Sequence, residues 1–312
     1  MPDFDVYAYG VVSSSTLHLI SQPFPQPEGY AEITQSYTMT GGEAANSSIV
    51  LSRLGQRVFL DGNWIGDTPE GAALLATLQS YRIDTRRLRV KKGYGGVKEI
   101  LFSDSAGRTI FGNYGDLQNT TRKWNIPHKS DVVRARLACI DPPFKAESLL
   151  ASRYACQLHI PYITIDCPYQ EELANRAAVV IISGEFRDRQ YPGAGLEDLF
   201  YAYRSQAEGM VILTCGGDDL LYGRRGEPLR CFKPYQVNVV DPAGAGDSFR
   251  AGVAFGLLQG WSDEDMVRYA SALAAIICTT FPGVLRSPTH REVLEFMRTR
   301  AVRLKTLQNY PG

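Results

Sequence analysis

A short apolar strand that ends in a polar or glycine corner recurs along the chain, and this repeat is the feature that most constrains the fold. The repeats are "DVYAYGVV" (5–12), "RLACID" (136–141), "YITIDC" (162–167), "AVVIISGE" (178–185) and "MVILTCGG" (210–217). Helical segments separate the later strands, and this alternation favours a parallel sheet with helices on both of its faces. We therefore predict an α/β fold with a doubly wound, mostly parallel sheet.

The polar corners after these strands mark the expected ligand-binding edge. In open α/β sheets, ligands bind beyond the carboxyl ends of the strands. The residues predicted to reach that edge are Asp141, Asp166, Glu185, Gly216 and Asp241. They are the first candidates for a functional site.

Two segments, about 15–38 and 91–116, do not fit a doubly wound core. Both contain alternating apolar and polar residues, which predicts a small β-sheet attached to the core. In the second segment, "VKEILFSD" and "RTIFGNYG" look like a hairpin with its turn at 105–107. Between the two segments, the spacing predicts helices over 41–55 and 67–83.

The composition is that of an ordinary globular protein, with 44% hydrophobic residues in a chain of 312. Lys plus Arg and Asp plus Glu are each 33, and this zero net charge argues against a general nucleic-acid or anionic-membrane binder. The six cysteines form no CxxC pair and are typical of buried thiols in a reducing compartment. The N-terminus shows no secretion signal, and no stretch reaches the length of a membrane span. We expect a cytoplasmic protein that binds neither nucleic acid nor membrane.

The stretch "NVVDPAGAGDSF" (238–249) is the strongest candidate for chemistry. It predicts a strand at 238–240, a corner at Gly244–Gly246, and a helix that begins at Asp247. The first amides of a helix have no internal partner, and a bare corner lets an oxygen-rich anion approach them. A carboxylate beside a bound phosphate is placed to deprotonate an attacking hydroxyl. The alternative, which this stretch alone leaves open, is a tight turn in which Asp247 only caps the helix.

Other motifs for phosphate, nicotinamide or metal are absent from the sequence. It contains no Gly-Lys dipeptide, so there is no Walker A loop, and it contains no GxGxxG, HExxH, EF-hand loop or Cys/His cluster. The four histidines are scattered and are more typical of ordinary side chains than of ligands.

Four segments, taken together, resemble one enzyme family. "VVDPAGAGDSFRAG" resembles the C-terminal signature of the ribokinase-like carbohydrate kinases, also called the phosphofructokinase B family, with Pro242 in place of the usual threonine. "GGEAANSSIVLSRLG" is similar to the N-terminal signature, "GNWIGDTPEG" to the element that follows it, and "VILTCGGDDLLY" to the nucleotide-side strand. The segments occur in the family's order over nearly the whole chain, which is far more specific than any one of them.

This resemblance implies one ribokinase-like α/β domain over residues 1–312, with an inserted β lid formed by about 15–38 and 91–116. It implies an ATP-dependent kinase that phosphorylates a primary hydroxyl of a monosaccharide or close relative. Mg²⁺ would bridge the ATP phosphates, and many members also use a monovalent cation such as K⁺. Exposed edges of the lid could pair two subunits into a homodimer.

The resemblance also implies roles for individual residues. Asp247 would be the base that activates the sugar hydroxyl, and the amides of Gly244, Ala245 and Gly246 would stabilise the γ-phosphate. The sugar would contact Asp247 together with Ser15, Gly41, Gly42, Asn46 and Asp141, the two glycines also acting as a hinge. The nucleotide would contact Thr214, Gly216, Gly244, Gly246 and Glu185. The monovalent cation would lie near Asp241.

Two departures from the family pattern bear on the substrate and on catalysis. Ser15 stands about where members carry an aspartate that grips two sugar hydroxyls, and a serine is a weaker clamp. This argues against ribose or a simple nucleoside as the substrate. Glu185 is present, but the asparagine of the family's Asn-x-x-Glu element is missing.

Several alternatives therefore stay open. The basic residues of the lid segment form either a solvated ribbon face or a pocket for an anionic substrate: Arg89, Lys91, Lys92, Lys98 and Arg108. The chain is alternatively a nucleoside or sugar-phosphate kinase, or a sugar-binding relative that has lost transfer. The intact motif from Gly244 to Asp247 favours transfer, because a pure binder has little use for a base at an anion cradle.

Overall fold

The structure, a computed structural model, describes residues 2–104, 107–117 and 121–300. Its strands are β1 (Phe4–Gly10), β2 (Ser13–Ile20), β3 (Ile33–Gly41), β4 (Val58–Gly62), β5 (Ile65–Gly66), β6 (Val90–Lys91), β7 (Lys98–Ser103), β8 (Arg108–Gly112), β9 (Ala135–Ile140), β10 (Tyr162–Ile165), β11 (Val179–Ile182), β12 (Met210–Cys215), β13 (Asp218–Gly223) and β14 (Arg230–Phe232). Its α-helices are α1 (Glu43–Arg53), α2 (Pro69–Ser80), α3 (Lys129–Val132), α4 (Ala146–Gln157), α5 (Glu172–Asn175), α6 (Gly184–Gln190), α7 (Leu196–Gln206), α8 (Ala245–Gln259), α9 (Asp263–Cys278) and α10 (His290–Thr299). None of these helices has both the length and the apolar character needed to span a bilayer. The cytoplasmic location stays a prediction.

Eight strands form the main sheet, in the order β14-β13-β12-β11-β10-β9-β1-β4. The six from β12 to β4 are parallel to their neighbours, and β13 and β14 add an antiparallel edge. Side chains of a strand point alternately to the two faces, so Val6 and Ala8 join one buried cluster while Tyr7 and Tyr9 join the other. Helices α1, α2, α8 and α9 cover the first cluster, and α4 and α7 cover the second. The predicted doubly wound α/β fold is confirmed.

A separate four-stranded sheet, in the order β3-β2-β7-β8, is built from the two predicted ribbon segments. Strand β2 pairs antiparallel with β3 and parallel with β7, and β7 pairs antiparallel with β8. The predicted turn at 105–107 lies partly outside the described residues. The interpretation of this small sheet as a lid, and of the whole chain as one domain, stays a prediction.

The central parallel strands of the main sheet end together on one edge. Their last residues are Gly10 in β1, Ile140 in β9, Ile165 in β10, Ile182 in β11 and Cys215 in β12. The polar corners that follow therefore meet along this edge, as the sequence predicted. This edge carries the candidate site.

The predicted strand at 238–240 is wrong. Residues 233–244 form neither strand nor helix. The short apolar run lies between Pro234 and Pro242, which cannot donate to a ladder. Asp241 is held instead from α9, because the amides of Val240 and Asp241 donate to the Cys278 carbonyl at 2.8 and 3.2 Å. The corner is thus delivered by a loop pinned to the end of a helix.

Candidate active site

The glycine corner forms the start of helix α8. Gly244 precedes the helix at φ 79°, in the left-handed region that favours glycine. A Cβ at Gly244 would overlap Cγ2 of Val284, so close packing also excludes a side chain there. Gly246 is exposed, and a Cβ on it would meet no atom within 4 Å. The corner is therefore packed against the core at Gly244 and open to a ligand at Gly246.

Helix α8 begins at Ala245, two residues before the predicted start. The amide of Ala245 donates to the Pro242 carbonyl at 3.2 Å, and the amide of Ser248 donates to the Gly244 carbonyl at 2.9 Å. The amides between them, of Gly246 and Asp247, belong to the first turn, where helix N–H groups have no intrahelical acceptor. The positive end of the helix dipole lies at the same place. The corner thus presents two adjacent amides to an anion.

The Asp247 carboxylate lies in this first turn and is partly buried. Asn46 Nδ2, on helix α1, donates to Asp247 Oδ2 at 2.8 Å. Burial raises the pKa of Asp247, while Arg250, Asn46 and Arg108 act in the opposite direction. A raised pKa makes this carboxylate a better acceptor for a hydroxyl proton. The first turns of α1 and α8 therefore meet at one candidate base.

Two glycines let α1 start directly against the end of β1 and the base of the small sheet. Gly42 precedes α1 at φ 86°, and a Cβ there would overlap the Val11 carbonyl. A Cβ at Gly41 would overlap both Ser15 Oγ and Glu99 Oε1. Both positions thus require glycine for packing. Their predicted contacts with sugar and their predicted hinge motion stay predictions.

Arg250 lies one turn after Asp247 on α8 and is completely buried. Its guanidinium forms an ion pair with Asp141 and donates to the Glu43 carbonyl at 2.6 Å. It also donates to Ser47 Oγ at 3.0 and 2.8 Å. One side chain therefore connects α8, the start of α1 and the corner after β9.

Asp141 is only 1% exposed, and both of its carboxylate oxygens are engaged within the protein. Oδ1 pairs with Arg250, and Oδ2 accepts a hydrogen bond from the Val11 amide at 3.1 Å. A Cβ on Gly10 would overlap the same carboxylate, so β1 also packs tightly against it. These contacts make Asp141 the counter-ion of Arg250. Its assignment as a sugar ligand stays a prediction.

The small sheet places a second carboxylate beside the start of α1. Glu99 of β7 is 7% exposed and accepts hydrogen bonds from Ser13 at 3.0 Å, from Ser15 and from Tyr114. The strand register sets Ser15 directly beside Glu99. Ser15, the predicted sugar ligand, is therefore a donor to a carboxylate on the neighbouring strand.

Asp241 is completely buried and is also tied to the small sheet. Ser103 Oγ and the Ala243 amide donate to its Oδ1 at 2.6 and 2.9 Å. Its Oδ2 has no hydrogen-bond partner among the described residues. Burial raises the pKa of Asp241. A buried carboxylate oxygen with free lone pairs is a group that a bound cation would satisfy.

The predicted nucleotide-side residues follow β11 and β12 on the same edge. Thr214 is the second-last residue of strand β12. Gly216 follows the strand at φ 61°, with open space where a Cβ would stand. Glu185 is exposed, and Arg108 of β8 donates to its two oxygens at 3.3 and 3.2 Å. This pair links the small sheet to the main sheet. The roles of Thr214, Gly216 and Glu185 toward a nucleotide stay predictions.

The basic residues of the predicted lid segment 91–116 differ in what they contact. Lys98 pairs with Glu70 at 3.3 Å, and both side chains are about half exposed. Lys91 lies over the Trp64 ring, with 5.0 Å between Nζ and the ring centroid. Arg108 pairs with Glu185 at 3.2 Å, at the carboxyl edge of the main sheet, and its charge acts to lower the pKa of Asp247. Of these three cations, the site includes Arg108.

Several residues of the site were missed in the sequence: Glu43, Glu99, Ser103, Tyr114 and Arg250. Two signals were present. Glu99, Leu101 and Ser103 occur at alternate positions, so the strand period places the two polar residues on the same face as an apolar one. Arg250 is the single cation in a helix that is apolar nearly all round, and an unpaired charge in such a helix needs a buried partner.

Comparison with known proteins gives a consistent result. The profile of the pfkB family carbohydrate kinases matches residues 24–289. The ribokinase of Bacillus subtilis (strain 168) is 22% identical over 294 residues, covering 92% of this chain and 98% of that protein. The ATP-dependent ribose-1-phosphate kinase of Halopiger xanaduensis is 26% identical over 294 residues, covering 88% of this chain and 92% of that protein. The structure of Arabidopsis thaliana ribokinase complexed with ribose and ATP superimposes with a TM-score of 0.77 at 17% identity, covering 95% of this chain and 99% of that one.

A doubly wound sheet with an aspartate beside open helix amides at its carboxyl edge is the arrangement of a phosphotransferase that acts on a hydroxyl group. The superposition shows a shared fold, and the profile match covers most of the chain. The chain belongs to the pfkB family of carbohydrate kinases.

The buried ion pair at the centre of the site yields a stability prediction. Arg250→Met leaves the Asp141 carboxylate buried without its partner, and we expect the free energy of unfolding to fall by about 3–5 kcal/mol. Urea denaturation followed by circular dichroism measures this loss.

The control is Arg224→Met, which breaks a two-point pair with Asp263 near the surface and should cost about 1 kcal/mol or less. The double variant Arg250→Met/Asp141→Leu removes both buried charges and should recover part of the loss. If the loss of unfolding free energy in the double variant equals the sum of the losses in Arg250→Met and in Asp141→Leu, the two charges are not coupled.

Proposed function

We propose that the protein transfers the γ-phosphate of ATP to a primary hydroxyl of a monosaccharide or a close relative. The observation that carries this proposal is the position of Asp247. It lies in the first turn of α8, beside the open amides at Gly246, and Asn46 fixes its orientation at 2.8 Å. A pfkB-family chain with this arrangement has a base and an anion cradle side by side.

The transfer is an in-line displacement. The sugar oxygen attacks the γ-phosphorus, the bond from that phosphorus to the β,γ-bridging oxygen breaks, and ADP leaves. Asp247 takes the proton of the attacking hydroxyl, and the open amides of Gly246 and Asp247 face the charge that develops on the phosphoryl oxygens. Of the predicted amides of Gly244, Ala245 and Gly246, that of Ala245 is already bound to the Pro242 carbonyl. Exclusion of water by the small sheet would limit wasteful hydrolysis of ATP.

The substrates would bind along the carboxyl edge of the main sheet. Thr214 and Gly216 would line the adenine and ribose side, where open space lies beside Gly216. Gly41, Gly42, Ser15 and Asn46 would line the sugar side, with Asp141 behind them. Asn46 Oδ1 is buried without a hydrogen-bond partner among the described residues, so it is free to accept from a sugar hydroxyl.

Mg²⁺ would bind with the ATP phosphates. Within the described ranges, no three or more His, Cys, Asp or Glu side chains are grouped to hold a metal ion by themselves. A Mg²⁺ ion that is shared with phosphates needs only one or two carboxylates from the protein. The exposed Glu185 would supply such a carboxylate. When bound, Mg²⁺ supplies neutralising charge on the phosphates.

A monovalent cation would bind near Asp241, whose Oδ2 is buried without a partner among the described residues. Such an ion would hold the loop that leads into the anion cradle.

We expect replacement of K⁺ by tetramethylammonium to lower kcat several-fold. The rate of Asp241→Asn should no longer depend on the ion. The melting temperature of this variant shows whether it is folded. Equal rates in both salts would rule out the cation.

The small sheet would also pair two subunits. Its outer strands, β3 and β8, have no further strand beside them in the described chain, and Ile110 and Phe111 of β8 are 44% and 52% exposed. Apolar side chains on open strand edges favour association. We expect a homodimer in size-exclusion chromatography with light scattering, and a monomer at working concentration would end this proposal.

Replacement of the base tests the function itself. Asp247→Asn keeps the shape and the Asn46 contact region but cannot accept the proton, so we expect kcat to fall by about 10²–10⁴-fold. ADP release is measured on ketoses, aldoses, nucleosides, sugar acids and sugar phosphates, and ATP binding by calorimetry. Asp219→Asn, at an exposed aspartate of β13, is the control.

Retained turnover in Asp247→Asn would remove Asp247 from catalysis. Binding of ATP and sugar by wild type, without turnover on any class, would favour the non-catalytic sugar-binding alternative.

A further inference from the structure

Glu99 occupies the sugar side of the proposed site. Its Oε1 lies where a Cβ of Gly41 would stand, directly before the start of α1. Asn46, one turn further along α1, donates to the candidate base Asp247. Tyr114 donates to the other oxygen of Glu99. A carboxylate from the small sheet is thus placed near the end of the site where sugar hydroxyls would bind.

The partners of Glu99 are all hydroxyl groups. Ser13, Ser15 and Tyr114 donate to it, and no ion pair among the described residues includes it. A carboxylate has about four acceptor positions, and hydroxyl donors can rotate to other acceptors. The site is therefore built to bind hydroxyl groups with a charge-assisted acceptor, and a sugar diol offers the same donors.

Glu99 also compensates for what the first strands lack. The family pattern leads to an aspartate near position 15, and the chain has serine there. In the structure the hydroxyl of Ser15 donates to Glu99, its partner in the parallel register of β2 and β7. A carboxylate next to position 15 is thus supplied by the neighbouring strand β7.

The charges around the sugar side are negative or already paired. Arg250 is completely buried and pairs with Asp141, so it offers no charge to a ligand. Arg108 pairs with Glu185 on the phosphate side. Burial, followed by the charges of Asp141 and Asp247, raises the pKa of Glu43 to about 8.

A raised pKa reduces the negative charge that Glu43 adds to the site at neutral pH. The side chains of Glu99 and Asp247 also lie here, and no ion pair among the described residues includes either of them. An anionic group held about 6 Å from one of these carboxylates, at the effective dielectric constant of protein sites, loses on the order of 100-fold in affinity.

We propose that Glu99 binds substrate hydroxyl groups and selects an uncharged, polyhydroxylated sugar against a sugar phosphate or sugar acid. This inference rests on the proposed kinase function, and it decides between substrate classes that the family spans. Ribose is bound in the Arabidopsis thaliana structure, whereas the Halopiger xanaduensis relative is a ribose-1-phosphate kinase. The chain should act on the uncharged class.

The test compares matched neutral and anionic substrates. ADP release is measured for ribose against ribose 1-phosphate, for glucose against gluconate, and for further neutral ketoses and polyols. We expect kcat/KM for a neutral compound to exceed that for its anionic counterpart by 100-fold or more. A higher kcat/KM for the anionic member of the best pair would overturn the proposal.

Two variants at one position separate charge from shape. Glu99→Gln should raise KM for the best neutral sugar by about 10–100-fold, because a charge-assisted hydrogen bond becomes a neutral one, with little change in kcat or in KM for ATP. Glu99→Gln should also reduce the ratio of kcat/KM for the neutral substrate to kcat/KM for its anionic counterpart. Glu99→Asp keeps the charge and should keep that gap while still raising KM.

The control is Glu70→Gln, which removes an exposed carboxylate next to the same sheet and should change none of these constants. An unchanged sugar KM in folded Glu99→Gln would show that Glu99 only anchors the small sheet. If Glu99→Gln fails to fold, Ser15→Ala and Tyr114→Phe each remove one hydroxyl donor and should alter sugar KM but not ATP KM.

Binding without turnover keeps the two proposals apart. If the wild type transfers no phosphate, the melting temperature is measured with each compound of the panel. A neutral sugar that raises it in the wild type, but not in Glu99→Gln, supports the role of Glu99 even where the kinase proposal fails. No rise with any neutral sugar, or a rise only with anionic ones, overturns the role of Glu99.

Discussion

The arrangement of the site depends on one buried ion pair, between Arg250 of α8 and Asp141 after β9. The same guanidinium binds the Glu43 carbonyl and Ser47 of α1, so three elements that are distant in sequence are fixed to one side chain. Removing two charges from water is expensive, and a packed apolar pair would often be as stable. We therefore assign the value of this pair to geometry. It sets the relative positions of Asn46 and Asp247, whose hydrogen bond crosses from α1 to α8.

The small sheet takes part in the site at three separate points. Glu99 lies on the sugar side, Ser103 binds the buried Asp241, and Arg108 pairs with Glu185 on the nucleotide side. All three come from the hairpin of β7 and β8. One supersecondary unit thus contacts the proposed sugar, cation and nucleotide regions together. A cover that only excluded water would not need a polar contact at each of them.

The fold and the glycine corner before α8 could be predicted from sequence because their signals are local. Continuous apolar strands with polar corners specify a covered parallel sheet, and the glycines around Ala245 specify a bare helix start. The pairing of Ser15 with Glu99 and of Asp141 with Arg250 spans 84 and 109 residues, and strand register and helix packing decide such contacts. The strand expected at 238–240 failed for a related reason. Residues 238–240 pair with no strand in the part of the chain that the structure describes, and α9 fixes the loop instead.

The division of labour between the two sheets bears on how transfer is coupled to binding. The proposed base and the proposed anion cradle belong to α8 on the main sheet, whereas the carboxylate proposed to bind the sugar belongs to the small sheet. A sugar that contacts both Glu99 and Asp247 would hold the small sheet against the core while its hydroxyl faces the phosphate. Binding energy from hydroxyls remote from the reaction is then spent on closing the site, which excludes water and orients the attacking oxygen. With Glu99 of β7, and not a residue of β2, as the proposed sugar ligand, sugar recognition and closure of the small sheet would be one event.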